Sequence, residues 1–285
     1  MITSINGAQL FTAGQTTLPL AIANSLTPLN QVLNPQLTGV GTTTRLAAFN
    51  QLRTQDLSSN YIKAASNITD QAMQANSALG NNPMEVTVAF PNTGLGYQLK
   101  QVARLIKKRT DLTVNRQVFY VQIGGFDTHN GQILGQGNLL TQFSQAVRSF
   151  YDEMTAQGIS DKVTLFTMSD FSRTLNPAGV GANVVGSDHA WANHLFVIGG
   201  SVLGGDFYGT NTSNGTPYPN LTMNGPDDAD SGTTARGRWI PTTSVEQYAA
   251  TLARWYGLPE TNMSSVFPNY NNFISTGTNL GFMQP

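Results

Sequence analysis

Cysteine is absent from all 285 residues, which excludes disulfides and thiolate metal sites and leaves the redox compartment unmarked. Charge is scarce too: Asp, Glu, Lys and Arg make up 11% of the chain, with a net charge of -1. So nearly neutral a chain offers no electrostatic reason to bind nucleic acid or an anionic membrane. Its polar surface must come from Asn, Thr, Ser and Gln, a composition that leans toward exported proteins, so a periplasmic or secreted location is expected. No apolar run approaches the roughly 18 residues that would span a bilayer. The opening residues Met1 to Asn6 lack the basic and apolar regions of a signal peptide, so any export address is expected to lie outside this stretch.

Histidine is rare, with three in the chain, and all three lie between Arg116 and Gly200. Each adjoins an apolar segment or an aspartate. His129 closes Gly124-Gly125-Phe126-Asp127-Thr128-His129, His189 follows Asp188 in Gly186-Ser187-Asp188-His189, and His194 precedes the apolar run Leu195 to Ile198. A further acid, Asp170, sits in Met168-Ser169-Asp170-Phe171-Ser172-Arg173-Thr174, directly after Val163 to Thr167. In open α/β sheets ligands bind beyond the carboxyl ends of strands, so loops of this kind can converge although distant in sequence.

The rest of the chain reads as scaffold for that cluster. Ile2 to Leu10 has the pattern of a short strand. Leu46, Phe49, Leu57, Tyr61, Ala65, Ile68 and Met73 follow helical spacing over one long helix or two in series, stopped by Gly80-Asn81-Asn82-Pro83. Leu95, Leu99, Val102, Ala103 and Ile106 mark one face of a helix ending in Lys107, Lys108 and Arg109, cations that suit the helix dipole. Val118 to Ile123 is a candidate strand covered on both faces. Leu139 to Met154 is amphipathic and ends at Gly158, and Val163 to Met168 is a second strand. Strand, helix, strand in that order predicts a βαβ unit with parallel strands. Gly204 to Arg238 reads as long loops forming a rim. The spacing then predicts a helix over Val245 to Tyr256, opened by a capping box at Thr243-Ser-Val-Glu246 and closed at Gly257, with Phe267 and Phe273 anchoring the tail. The fold class expected is α/β, with a largely parallel central sheet sandwiched by helices. A single domain is expected over 1–285: a helical or irregular part to 90, a core over 91–200, loops over 201–238, then the last helix and tail.

Imidazole and carboxylate together suit zinc, manganese or iron, whereas an all-oxygen site suits calcium or magnesium, so a divalent ion is expected, Zn or Mn ahead of Mg or Ca. Asp127 with His129, and Asp188 with His189, each let one turn present two donors. Asp170 and His194 are further candidate ligands, and Arg173 is a candidate clamp for an oxyanion. Each has a structural competitor, because Asp caps helices, His hydrogen-bonds within loops and Arg bridges carboxylates.

Gly125-Phe-Asp127-Thr-His129, Ser169-Asp-Phe-Ser-Arg173-Thr174, Gly186-Ser-Asp188-His189, Gly199-Gly200 and Gly237-Arg238-Trp-Ile-Pro-Thr-Thr-Ser-Val-Glu246 together resemble the bacterial family called domain of unknown function 1501. The resemblance runs in consistent order from about Phe90 to Gly257. It implies an alkaline phosphatase-like fold related to sulfatases and metal-dependent phosphoglycerate mutases, export from the cytoplasm, and one or two divalent metals at strand ends. By position, Asp127, His129 and His189 match ligands of one metal, and Asp170 matches the Asp of an Asp-His pair serving another. Phe171 stands where that pair would have its His. Residues 1–90 carry no strand and helix-start nucleophile of the superfamily kind. The expected function is therefore hydrolysis of phosphate or sulfate esters, small or glycan-borne, by water activation, with Arg173 and the Gly204 to Arg238 loops contacting substrate. The alternative is a non-catalytic exported or cell-surface binding or structural protein that keeps the fold. A serine hydrolase using Ser169 or Ser172 with His189 lacks the Gly-x-Ser-x-Gly elbow.

Overall fold

The computed structural model describes residues 1–14, 19–27, 42–79, 85–179, 185–210, 215–230 and 232–285. The fold is mixed α/β, and the chain divides into two compact units, one of residues 1–123 with 142–157, the other of 124–141 with 158–285. The expected helix stop at Gly80 to Pro83 lies outside the described residues.

In the first unit a parallel three-stranded sheet has β1 (Ile2–Ser4) between β2 (Leu20–Ala21) and β3 (Val118–Tyr120). Thr3 and Ser4 are fully buried in this central strand. β3 is shorter than the sequence suggested and lies at the sheet edge, with Val118 exposed. Just beyond it the side-chain amide of Gln98 replaces a neighbouring strand, accepting from Gln122 N at 2.9 Å and donating to Gln122 O at 2.8 Å.

Gln98 belongs to α3 (Gly94–Lys107), the third helix after α1 (Thr42–Arg53) and α2 (Asn60–Leu79). Thr93 caps α3 by accepting from Gly96 N at 3.1 Å, and the expected face, Leu95, Leu99, Val102, Ala103 and Ile106, is buried. Lys107 and Lys108 also make specific contacts, to Glu85 O and Asp111. α1 and α2 are two helices in series, one of the two forms the spacing allowed, tied by Arg53 to Asp70 and Ser66. Phe49, Leu57, Tyr61 and Ile68 along the apolar spacing are exposed. Helical spacing locates an apolar side; it does not supply a surface to cover it.

The helix α4 (Gln132–Ala156) begins seven residues before its expected first apolar position. Its second half buries Ala146, Val147, Phe150 and Met154, together with a fully buried carboxylate, Glu153. Glu153 Oε2 accepts from Thr87 N at 2.7 Å and Val88 N at 2.8 Å, while Oε1 accepts from Gln157 at 2.9 Å. A buried charge with its lone pairs filled by fixed donors is tolerated, and here it pins residues 87–88 to the helix.

In the second unit β4 (Thr164–Phe166) pairs antiparallel with β7 (Val197–Gly199), and β5 (Ser172–Arg173) pairs antiparallel with β6 (His189–Ala190). The expectation of a parallel partner for the Val163 to Met168 strand is thereby corrected: hydropathy marks a strand but carries no information on the direction of its partner. α5 (Val245–Tyr256) is capped by Ser244 and Gln247, one residue later than expected, while Glu246 accepts from Asn269 instead. Gly257 ends it in the left-handed conformation, φ 101°. Tyr248 and Leu252 pack with Phe282, and Ala250 packs with Met263 of α6 (Met263–Val266) and Tyr270. The tail is therefore anchored by Tyr270, with Phe267 partly buried beside it, and separately by Phe282, while the expected anchor Phe273 is only partly buried and belongs to neither cluster. Arg254 ties the tail further, through Glu260, Tyr270 and Thr278.

Replacing Glu153 by Ala would leave two backbone N–H groups without acceptors, at about 1–3 kcal/mol each. Urea unfolding of Glu153→Ala should show a loss of that order, and Glu153→Gln, which keeps one acceptor, a smaller one; equal stability of all three proteins would refute the pinning role. Glu260 gives a pH signature. Its hydrogen bonds from Arg254, then Tyr270, hold it below the usual carboxylate range. A lowered folded value means that its stabilisation is complete above the ordinary carboxylate range and fades as pH falls through the lowered one. Melting temperatures between about pH 6 and 2 should thus converge for wild type and Glu260→Gln at the acid end.

Candidate metal centre

Three separate stretches of the second unit deliver the site. The turn after Gly125 carries Asp127 and His129, with Thr128 N donating to Phe126 O at 2.9 Å. β5 carries Arg173, and β6 carries His189 directly opposite it in the ladder. The loop before β6 reaches the turn at Gly186, where an added Cβ would lie 2.1 Å from the His129 carbonyl carbon. Only glycine permits this approach, since the obstacle is backbone. Two further hydrogen bonds fasten the contact, Ser187 N to Thr128 O at 3.2 Å and Gln132 N to Val185 O at 3.1 Å.

Asp127 is the meeting point. Its Oδ1 lies 3.0 Å from His129 Nε2, 3.0 Å from His189 Nε2 and 2.6 Å from Arg173 Nη1. The two imidazole rings are 5.4 Å apart, centre to centre. One donor atom from each of Asp127, His129 and His189 lies within 4.8 Å of the other two, and this is the group among the described residues that could hold a metal ion. Bonds of about 2.0–2.1 Å to nitrogen and oxygen give tetrahedral ligand edges of about 3.4 Å, so 3.0 Å contacts need only a small opening to admit an ion. The side chains are 53%, 54% and 50% exposed, leaving their outer side to solvent.

Electrostatics favour an ionised ligand. The Arg173 guanidinium, then His189, hold the Asp127 carboxyl below the usual carboxylate range. Arg173 is only 13% exposed. Besides Asp127 it donates from Nε to Ser187 Oγ at 3.0 Å and from Nη2 to Thr128 O at 2.8 Å and to Ser187 O. His189 is stacked on Phe171, ring centres 3.9 Å apart and planes inclined by 16°.

The remaining candidates lie elsewhere. Asp188 faces His129 Nδ1 at 4.0 Å and gives its Oδ2 to Arg236. Asp170 is exposed and outside the three-residue group, and His194 packs its ring 5.7 Å from Tyr218. Ser169 Oγ donates to Phe171 O and Ser172 is buried, so neither pairs with His189. The sequence reading placed Arg236 and Arg238 within the substrate-contacting loops and gave neither a contact with the cluster; Arg236 binds Asp188, and Arg238 donates to His189 O at 2.9 Å and Asp230 at 2.6 Å. Two arginines two residues apart in a chain this poor in charge were the available signal.

A family model described as a protein of unknown function, DUF1501, matches residues 18–221. The chain belongs to the DUF1501 family. No curated protein and no solved structure matches it. All three members of the Asp127, His129 and His189 group fall within the span that defines this DUF1501 chain.

Gly186→Ala should separate the two loops, lowering the melting temperature and abolishing binding of Zn²⁺ in a calorimetric titration. Gly135→Ala is the control: its Cβ would meet only Thr128 Cγ2 at an ordinary 3.6 Å, inside α4. A Gly186→Ala protein that melts and titrates like wild type would show that the contact does not build the centre.

Proposed function

We propose that this chain is a metal-dependent hydrolase of phosphate or sulfate esters on an alkaline phosphatase-like scaffold, working in an exported, periplasmic or secreted setting. The observation that carries the reading is the convergence of two imidazoles and one carboxylate within 4.8 Å on a solvent-facing surface. Two nitrogens and one oxygen suit Zn²⁺ or Mn²⁺ better than Mg²⁺ or Ca²⁺. Three protein ligands are the number at which catalytic zinc sites keep a position open.

Asp127, His129 and His189 would hold the ion. When bound, it would polarise an ester oxygen or acidify a bound water to a pKa of about 7. The protein's own part is positioning. Arg173 spends its donors on Asp127, Thr128 and Ser187, so it acts by fixing the carboxylate rather than by gripping substrate. Phe171 fixes the plane of His189 by stacking. The Gly204 to Arg238 loops remain the proposed substrate rim, whether the ester is a small molecule or part of a glycan.

The purified protein should contain one divalent ion per chain by elemental analysis and hydrolyse members of a panel of aryl phosphates and sulfates. Asp127→Ala should lose both the ion and turnover. A protein that retains the ion yet turns over nothing in the panel would favour the non-catalytic alternative, and absence of a stoichiometric ion, with melting unchanged by chelator, would sink the proposal.

A further inference from the structure

We infer that Asp188 is not a metal ligand but the positioning residue that presents His129 to the ion, with Arg236 as its anchor; this rests on the metal reading above. The geometry of the imidazole makes the case. His129 turns Nε2 toward Asp127 Oδ1 at 3.0 Å and Nδ1 toward Asp188 Oδ1 at 4.0 Å. The two ring nitrogens direct their in-plane lone pair or proton along diverging lines, so a group at the Nδ1 edge cannot also reach an ion held at Nε2. Asp188 is therefore on the wrong edge to be a ligand and on the right one to accept the Nδ1 proton.

Its carboxylate is also committed elsewhere. Oδ2 accepts from Arg236 Nη1, and Arg238 Nη2 stands 3.8 Å away. The backbone of Asp188 is fixed as well: Thr174 N donates to its carbonyl at 2.9 Å, and its own N–H donates to Thr174 Oγ1 at 3.1 Å. Asp188 is thus held at both backbone and carboxylate, with the His129 Nδ1 edge 4.0 Å from its Oδ1. An acceptor on Nδ1 leaves the neutral ring with its lone pair on Nε2, the tautomer a metal requires. Carboxylates in this relation to a ligating histidine typically contribute 10–100-fold in metal affinity. The alternation Asp188-His189 thus splits into two roles, His189 as a donor and its chain neighbour as the partner of the other histidine.

The test uses Co²⁺ and Zn²⁺ alone as probes, on the full chain. Co²⁺ reports its ligand set through its visible absorption bands, and Zn²⁺ affinity is read by competition with a chromophoric chelator. Asp188→Asn should bind Zn²⁺ about 10–100-fold more weakly than wild type, while its Co²⁺ spectrum at saturation stays that of wild type. Arg236→Met, which leaves Asp188 in place but unanchored, should weaken Zn²⁺ in the same direction, again without a spectral change. A changed Co²⁺ spectrum in Asp188→Asn would make Asp188 a ligand and overturn the inference, as would unchanged Zn²⁺ affinity in both variants. Failure of the wild type to bind either ion would instead overturn the metal reading itself, and this inference with it.

Discussion

One carboxylate oxygen sets the terms for this structure's chemistry. Asp127 Oδ1 is approached by a guanidinium nitrogen and two imidazole nitrogens, all within 3.0 Å. That setting holds the Asp127 carboxyl below the usual carboxylate range, chiefly through Arg173. Of the three partners only the histidines can also offer a lone pair, because the Arg173 guanidinium stays protonated and has no acceptor.

That arrangement depends on backbone rather than on side chains alone. The turn bearing Asp127 and His129 is held to the strand bearing His189 by the Gly186 approach and by hydrogen bonds from Ser187 and Gln132. Arg173 crosses from β5 to the same turn, meeting its carbonyl at Thr128 as well as its carboxylate. A single side chain thus bonds to both the main chain and the functional group of one loop, which fixes distance and orientation together. Such supporting bonds keep a site within the few tenths of an ångström that coordination demands.

Much of this was legible from residue order. A polar pair following an apolar run marked Asp127 with His129, and Asp188 with His189, and three of these four converge. The face of α3 was legible for the same reason that periodic patterns generally are, since Leu95 to Ile106 repeat at the helical period against a single surface. Asp170 and His194 carry the same local signature as the converging residues but end outside the group, because adjacency to a strand does not fix where a loop turns. Asp188 was legible as a candidate ligand but not as the acceptor for Arg236, 48 residues away. Strand direction was equally hidden: β4 and β5 find antiparallel partners through loops that hydropathy does not describe.

The β5–β6 ladder is only two residue pairs long, Ser172 with Ala190 and Arg173 with His189. Strand side chains alternate sides, so slipping this pairing by a single position would send His189 to the face now occupied by its neighbours and set Arg173 against a different residue. His189 would leave Asp127 while Arg173, on the other strand, stayed bonded to it. A shift of about 3.3 Å in one short strand would therefore take one of the three candidate ligands out of the group.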